Sequence, residues 1–410
     1  MTLPADSGFP RTLFTGRLVT AGTLTPDGAV AIEDGRVAYA GPLAQLPPDW
    51  SAVRPDPRVP SGATIVPGLI DSHLHGGAGG EFGQDGNAAR TAIAEHRRHG
   101  STTLIASLVS AGAPELVRAT QTLGGLVASG ELAGIHLEGP FIAAARKGAH
   151  DPDALRDGDP GLVDALAEAA AAGGAPGALR QMTFAPDRAG ADQLPAALHR
   201  HGIRVAVGHT EADARVTERV LSAAADAAGA PAIVTHIFNA MPPIRGRAPG
   251  TAVGAIRAAL RGAAVLEVVA DGVHLSPDTV RMLFEVVGPG SITLISDAMA
   301  ATGLPDGDYT LGGLPVTVAD GTARLAGSGA IAGSVAHLAD CLRWAVHTAG
   351  IDLADAVRSA TATPAHTFGL DAGALAIGAV ADVLVLDADL RPALVTLGRA
   401  EDRVRVAARH

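Results

Sequence analysis

The stretch Pro67-Gly68-Leu69-Ile70-Asp71-Ser72-His73-Leu74-His75 decides the fold, because an apolar run ends in two histidines spaced by one residue. Side chains alternate along a strand, so positions i and i+2 share a face and both imidazoles point the same way. They can grip one metal ion. Taken alone, a His-x-His carries little information, and its meaning depends on how the other strand-like runs of the chain end.

Those runs are Thr102–Leu108, Ala133–Leu137, Arg204–Val207, Ala232–Thr235, Ala264–Val269 and Ser291–Ile295. Ala-rich helical stretches intervene at Ala88–His99, Pro114–Ala128, Leu162–Ala172, Asp192–His201, Glu211–Ala228 and Ser276–Val287. Strands alternating with helices imply parallel βαβ units, which suit a (β/α)8 TIM-like barrel or a doubly wound sheet. A barrel gathers chemistry from the C-terminal ends of many strands, and most runs here end in a residue that binds metal or moves protons. The segments are His136-Leu137-Glu138-Gly139-Pro140, Val207-Gly208-His209, Val234-Thr235-His236, Ala270-Asp271-Gly272-Val273-His274 and Ile295-Ser296-Asp297. Singly, Glu138 or Asp297 reads as a helix cap. Recurrence at one position of the βα repeat points instead to a shared site, and to the barrel.

The ends of the chain have a different texture. Leu18-Val19-Thr20, Ala29-Val30-Ala31-Ile32 and Arg36-Val37-Ala38-Tyr39-Ala40 are short strands around the hairpin dipeptides Asp27-Gly28 and Asp34-Gly35. Gly378–Asp387 and Val395–Gly398 repeat that texture. The expected organisation is a small β-sandwich domain from residues 1–66 and 367–410, and a catalytic barrel from 67–366.

Composition bounds the chemistry. With 410 residues, 47% hydrophobic, and a formal charge of -11 without a basic run, the chain is expected to be globular and shows no electrostatic footprint for nucleic acid or an acidic membrane. A small molecule is the expected partner. The single cysteine, Cys341, excludes an internal disulfide and a cysteine-built zinc site, so any metal relies on His and carboxylate. No charged n-region and apolar h-region open the sequence and no 18-residue apolar span follows, so the cytoplasm is the expected location.

Imidazole and carboxylate suit zinc, iron(II) or a similar divalent ion. His73, His75, Glu138, His209, His236 and Asp297 suffice for two ions with one bridging carboxylate. The only lysine, Lys147, lies in the loop after Glu138-Gly139-Pro140, so Glu138 is the better bridge. Asp297 is placed to take a proton from the attacking water and hand it to a departing nitrogen. The run Gly76-Gly77-Ala78-Gly79-Gly80 lacks a phosphate-loop pattern and reads as a flexible rim of the site, whereas Arg247 offers a two-donor fork to a phosphate.

Together with Arg146-Lys147-Gly148-Ala149-His150, Thr235-His236-Ile237-Phe238-Asn239-Ala240-Met241 and Gly246-Arg247-Ala248-Pro249-Gly250, these motifs resemble the amidohydrolase superfamily and, within it, the N-acetylglucosamine-6-phosphate deacetylase family. The resemblance implies release of acetate from the sugar-phosphate's amide nitrogen. It makes Glu138, His209 and His236 the main metal ligands and Asp297 the catalytic acid/base. It sets His150, Asn239, Ala240, Arg247, Asp271 and His274 where the sugar and phosphate are held, with the backbone of Ala149, Ala332 and Gly333 nearby. It also implies a homodimer in which a phosphate contact crosses the interface. Members differ at the first motif; some lack both its histidines and use one metal, so the pair kept here implies a site able to hold two. The alternatives are the galacto epimer as substrate, another deacylase or deaminase on the same barrel, and an inactive metal-binding protein.

Overall fold

The computed structural model describes residues 11–398; the outermost parts of the expected small domain, 1–10 and 399–410, lie outside the described residues. Eight parallel strands form the barrel: β1 Leu69–Leu74, β2 Ser101–Leu108, β3 Gly134–Glu138, β4 Leu179–Phe184, β5 Arg204–Val207, β6 Ala232–Val234, β7 Ala264–Val269 and β8 Ile292–Ile295. Each pairs with its sequence neighbour, from β1 through to β8. A doubly wound sheet would reverse the order, so the barrel reading holds.

Hydrogen bonds between the first and last strands close the ring. Asp297 N–H donates to the His73 carbonyl at 2.9 Å, and His75 N–H to that of Ala298 at 2.7 Å. Just below, the buried Asp71 carboxylate accepts from Ser296 N–H at 3.2 Å. The seam thus runs through the residues flanking two of the candidate ligands.

Around the barrel lie helices α1 Gly86–Arg98, α2 Ala113–Ala128, α3 Pro160–Ala172, α4 Leu194–Arg200, α5 Ala214–Ala228, α6 Gly250–Leu260, α7 Pro277–Val287 and α8 Leu338–His347. Helix α5 shows why such segments are helical. The Asp213 carboxylate accepts from Arg215 and Val216 N–H at 2.9 and 2.8 Å, filling the orphan donors of the first turn, and Gly229 in the left-handed region ends the helix. Its buried Thr217, Leu221 and Ala224 form one stripe toward the barrel. No helix among the described residues is long and apolar enough to cross a membrane.

Both ends of the chain contribute to one six-stranded sheet, in the order Pro392–Thr396, Val383–Leu386, Thr64–Pro67, Thr12–Thr20, Thr23–Glu33, Arg36–Pro42. Phe14, Val30, Ile65, Val383 and Val385 form its core, separate from that of the barrel. Four features depart from the sequence reading. Strand β4 and helix α6 were absent from the expected elements, and a three-stranded antiparallel sheet, Gly307–Leu311, Leu314–Ala319 and Thr322–Leu325, follows β8. The glycine run is a tight, largely buried hairpin of Gly76–Gly77 with Gly80–Glu81 rather than a flexible rim. Its shape needs glycine, since a Cβ on Gly80 would lie 2.1 Å from the Ala88 carbonyl of α1.

Burial pushes the Asp71 carboxyl up to about 6, and its bonds from Ser296 only partly offset this. The folded protein therefore holds this proton more tightly than the unfolded chain, so stability falls as pH rises from about 4 to 6. In urea unfolding of chelator-treated protein, Asp71→Asn should gain on the parent across that range by up to roughly 3 kcal/mol. Asp71→Ala, which orphans Ser296 N–H, should lose about 1–3 kcal/mol near neutral pH relative to Asp71→Asn. Indistinguishable midpoints for the two variants would contradict this reading of the seam.

Candidate metal centre

The strand ends deliver their side chains by a repeated device. His209, His236 and Asp297 each lie two residues past the last residue of β5, β6 and β8, and each has a positive φ, of 47°, 26° and 51°. A non-glycine residue in the left-handed region costs about 1–2 kcal/mol, and such strain collects where geometry serves function. Here the turn swings the side chain from the strand line over the barrel mouth. Glu138 ends β3 directly, and His73 and His75 come from the end of β1.

Six side chains converge. Glu138 Oε1 lies 2.9 Å from His209 Nε2 and 2.8 Å from His236 Nε2. Its other oxygen faces the first motif, 3.2 Å from His75 Nε2 and 3.6 Å from His73 Nε2. Asp297 Oδ1 is 3.3 Å from His75 Nε2 and 3.6 Å from His73 Nε2. Two donor groups result, one of Glu138, His209 and His236 and one of His73, His75 and Asp297, with Glu138 between them. All six residues are buried.

The ring nitrogens test whether a cation fits. His73 Nε2 faces His75 Nε2 at 3.2 Å, and His209 Nε2 faces His236 Nε2 at 3.1 Å. Two imidazole lone pairs cannot satisfy each other. Each pair needs a proton or a cation between its nitrogens, and the carboxylate oxygens complete a set suited to a divalent first-row ion. The far nitrogen of His209 donates to the Arg146 carbonyl at 2.7 Å, and that of His73 to Glu267 Oε2 at 2.9 Å. Such bonds leave Nε2 as the ligating atom.

Without an ion the charges settle among the residues. Burial disfavours a charged His75, but hydrogen bonds to Asp297 and Glu138 outweigh it and push the imidazole up to about 9. His73 moves the same way against its burial, drawn by Glu267 and Glu138. Burial likewise opposes ionisation of Glu138 and Asp297, yet the facing histidines hold both below the usual carboxylate range. His150 is different, for burial lowers it to about 4 despite Glu138. Ser110 N–H donates to its Nδ1 at 3.1 Å, so the proton sits on Nε2, 3.4 Å from Glu138 Oε2.

A cavity of about 250 Å³ opens onto the centre. Ala149, His150, Asn239, Ala240, His274 and Gly333 line it alongside His75, Glu138, His209, His236 and Asp297. Asp271 stands behind this wall, accepting from His274 Nδ1 at 2.8 Å and steering Nε2 to 3.7 Å from Asp297 Oδ2. Ala332 is buried among residues of the three-stranded sheet. Arg247 is not brought to the cavity; it lies exposed on the loop closed by Arg245 and Ala248. Two groups that sequence reasoning missed contribute. Leu311, Ala330 and Ile331 cover the cavity from the three-stranded sheet and the loop after it. Glu267 and Gln181 lie beneath the centre, and a lone charge inside Ala264-Val265-Leu266-Glu267-Val268-Val269 was the available signal for the first.

A third grouping, Glu95, His99 and His337, has metal-binding composition. Its two rings stack with centroids 3.7 Å apart and an angle of 18°, while Arg98 and Asp340 pair with Glu95 and His337. Both rings turn a nitrogen to Glu95 Oε1, His337 Nε2 at 3.0 Å and His99 Nδ1 at 3.3 Å, so the carboxylate is itself their partner and the cluster is an ion-pair network joining α1 to α8. A larger cleft of about 730 Å³, lined by Arg97, Glu131 and Arg180, contains none of the residues of the centre.

Residues 64–407 match the amidohydrolase family model. The chain is 41% identical to a mutant N-acetyl-D-glucosamine-6-phosphate deacetylase from Mycobacterium smegmatis, solved in complex with N-acetyl-D-glucosamine-6-phosphate; the likeness covers 95% of this chain and 98% of that one with a TM-score of 0.85. It is 33% identical to the N-acetylglucosamine-6-phosphate deacetylase of Bos taurus over 80% of this chain and 81% of that protein. It is 31% identical to the N-acetylgalactosamine-6-phosphate deacetylase of Escherichia coli O157:H7 over 91% and 94%.

Because His73 and His75 are held charged without an ion, binding one must displace their protons. Affinity should strengthen as pH rises toward about 9, where His75 loses its proton. Calorimetry of zinc binding at pH 7 in buffers of differing ionisation enthalpy should show release of about one or more protons. No release would mean that these rings are already neutral.

Proposed function

The chain belongs to the amidohydrolase family, and from that membership we propose that it hydrolyses the acetamide of N-acetyl-D-glucosamine 6-phosphate to D-glucosamine 6-phosphate and acetate. One observation carries this reading above the rest: the buried carboxylate and imidazole centre opens onto a sugar-sized cavity in a chain 41% identical, over nearly its whole length, to a deacetylase crystallised with that substrate.

In this reading Glu138, His209 and His236 hold one divalent ion, zinc or iron(II), and His73, His75 and Asp297 a second, with Glu138 shared. Such ions polarise a carbonyl and acidify water. The remaining chemistry belongs to the chain. Asp297 takes a proton from the water attacking the acetamide carbon and delivers it to the nitrogen as the carbon–nitrogen bond breaks, which leaves acetate and the free amine. His274 donates from Nε2 to the substrate beside Asp297, its charge opposed by burial but favoured by Asp271. His150 and Asn239, with backbone at Ala149, Ala240 and Gly333, hold the sugar. Arg247 lies outside this chain's cavity, and we assign it to the phosphate across a homodimer contact. A phosphorylated substrate is retained inside the cell, which accords with a cytoplasmic location.

Acetate release should be measured with N-acetylglucosamine 6-phosphate, its galacto epimer and the unphosphorylated sugar. The gluco phosphate should be the best substrate; equal rates on the unphosphorylated sugar would remove phosphate recognition, and faster turnover of the galacto epimer would reassign the substrate. Asp297→Asn should lower kcat about 10²–10⁴-fold with KM little changed, and near-normal turnover would take Asp297 out of the proton transfer. Arg247→Ala should raise KM for the phosphorylated sugar and spare kcat. Metal analysis should find two ions per chain in the parent and one after joint His73→Ala and His75→Ala substitution. One ion in both would refute the two-ion centre.

A further inference from the structure

Glu267 is an ionisable residue in the middle of β7, 1% exposed, and the chemistry proposed above gives it no task. A buried carboxylate is costly unless paired and hydrogen-bonded, so its partners show what it is for. Oε2 accepts from His73 Nδ1 at 2.9 Å and faces His236 N–H at 3.4 Å. Oε1 accepts from Gln181 Nε2 at 3.1 Å, and the same amide nitrogen is 3.3 Å from the Ser72 carbonyl. The carboxylate thus touches a side chain of one donor group and the backbone of the other.

We propose that Glu267 is a positioning residue for the ion held by His73, His75 and Asp297, and that Gln181 in turn orients Glu267. The inference rests on the two-ion reading above. Accepting from Nδ1–H fixes the tautomer of His73 so that Nε2 carries the lone pair, and it fixes the ring plane so that this lone pair points toward Asp297 and Glu138. The other ring of the motif has no such anchor, since His75 Nδ1 is buried without a hydrogen-bond partner. His73 therefore sets the geometry of the first motif, and Glu267 sets His73. Charge argues in the same direction. Four neutral imidazoles with the carboxylates of Glu138 and Asp297 leave two divalent ions undercompensated, and Glu267 adds negative charge one hydrogen bond away. The partner group takes from Glu267 only the long contact at His236 N–H, while the ring of His209 is held by the Arg146 carbonyl, so loss of Glu267 should affect the two ions unequally.

Glu267→Gln keeps the size of the side chain and removes its charge. In competition with a zinc chelator, this variant should hold one of its two ions about 10–100-fold more weakly and the other as the parent does. Gln181→Leu should give a smaller loss at the same ion. The background His73→Ala separates positioning from general support. There Glu267→Gln should add no further loss of ion binding, and it should raise the melting temperature of the chelator-treated protein by neutralising a buried carboxylate that has lost its His73 partner and keeps only Gln181 and the His236 N–H. Equal weakening of both ions, unchanged binding in Glu267→Gln, or the same loss in both backgrounds would overturn the proposal. A parent with two ions and a Glu267→Gln variant that keeps both at parental affinity removes only the role of Glu267. A parent with one ion, unaffected by the substitution, removes the two-ion reading as well.

Discussion

Four imidazole nitrogens held in two facing pairs, at 3.2 and 3.1 Å, form the constraint on which the rest of this structure depends. Facing lone pairs repel, and burial denies them water, so positive charge must enter between them as protons or as metal. The raised His73 and His75 and the lowered Glu138 and Asp297 are the protonic answer to that demand. A divalent ion is the other answer, and it displaces those protons. Glu138 makes both possible, because its two oxygens are divided between the two groups.

The barrel is arranged to sustain this crowding. Ligands come from β1, β3 and the turns after β5, β6 and β8, so no single element could relax and let them part. The seam bonds from Asp297 N–H to His73 and from His75 N–H to Ala298 tie the first motif to the last strand. Beneath the centre the barrel interior is polar rather than apolar. His136 bonds Ser107 and Thr183, and Thr183 bonds Thr235, which lets buried polar groups satisfy one another in a layer that the centre rests on.

This polar interior explains what the sequence made legible and what it hid. Seven of the eight barrel strands stand out as apolar runs, and the ends of five of them carry the six residues of the centre within a few positions. Strand β4 escaped notice because Arg180, Gln181 and Thr183 break its apolar pattern, two of them pointing into the polar layer. Helix α6 escaped because it opens at Pro249-Gly250 directly after an exposed loop, with no Ser, Thr, Asp or Asn side chain capping it. The three-stranded sheet alternates buried and exposed residues, as in Leu314–Ala319, but its short strands and glycine-rich turns lie beyond Ser291–Ile295, the last strand-like run that stands out in the barrel sequence. Glu267 was visible as a charge in an apolar strand, yet only the fold shows which histidine it faces.

Ligand composition alone does not make a metal centre, and the chain contains its own comparison. Glu95, His99 and His337 match the other two groupings in residue type and in closeness. There, however, Arg98 and Asp340 balance the charges, and the stacked rings each turn a nitrogen to Glu95 Oε1, which pairs with both. Nothing in that cluster is left unsatisfied by the protein itself. At the barrel mouth the nitrogens instead face one another in pairs, and the far side of His73 is spent on Glu267 and that of His209 on Arg146. Nitrogen facing nitrogen, with far nitrogens already committed, is what turns histidines at strand ends into a site that demands a cation. The same criterion ranks the first motif: His73 and His75 carry meaning because β8, β3 and β7 place Asp297, Glu138 and Glu267 around them.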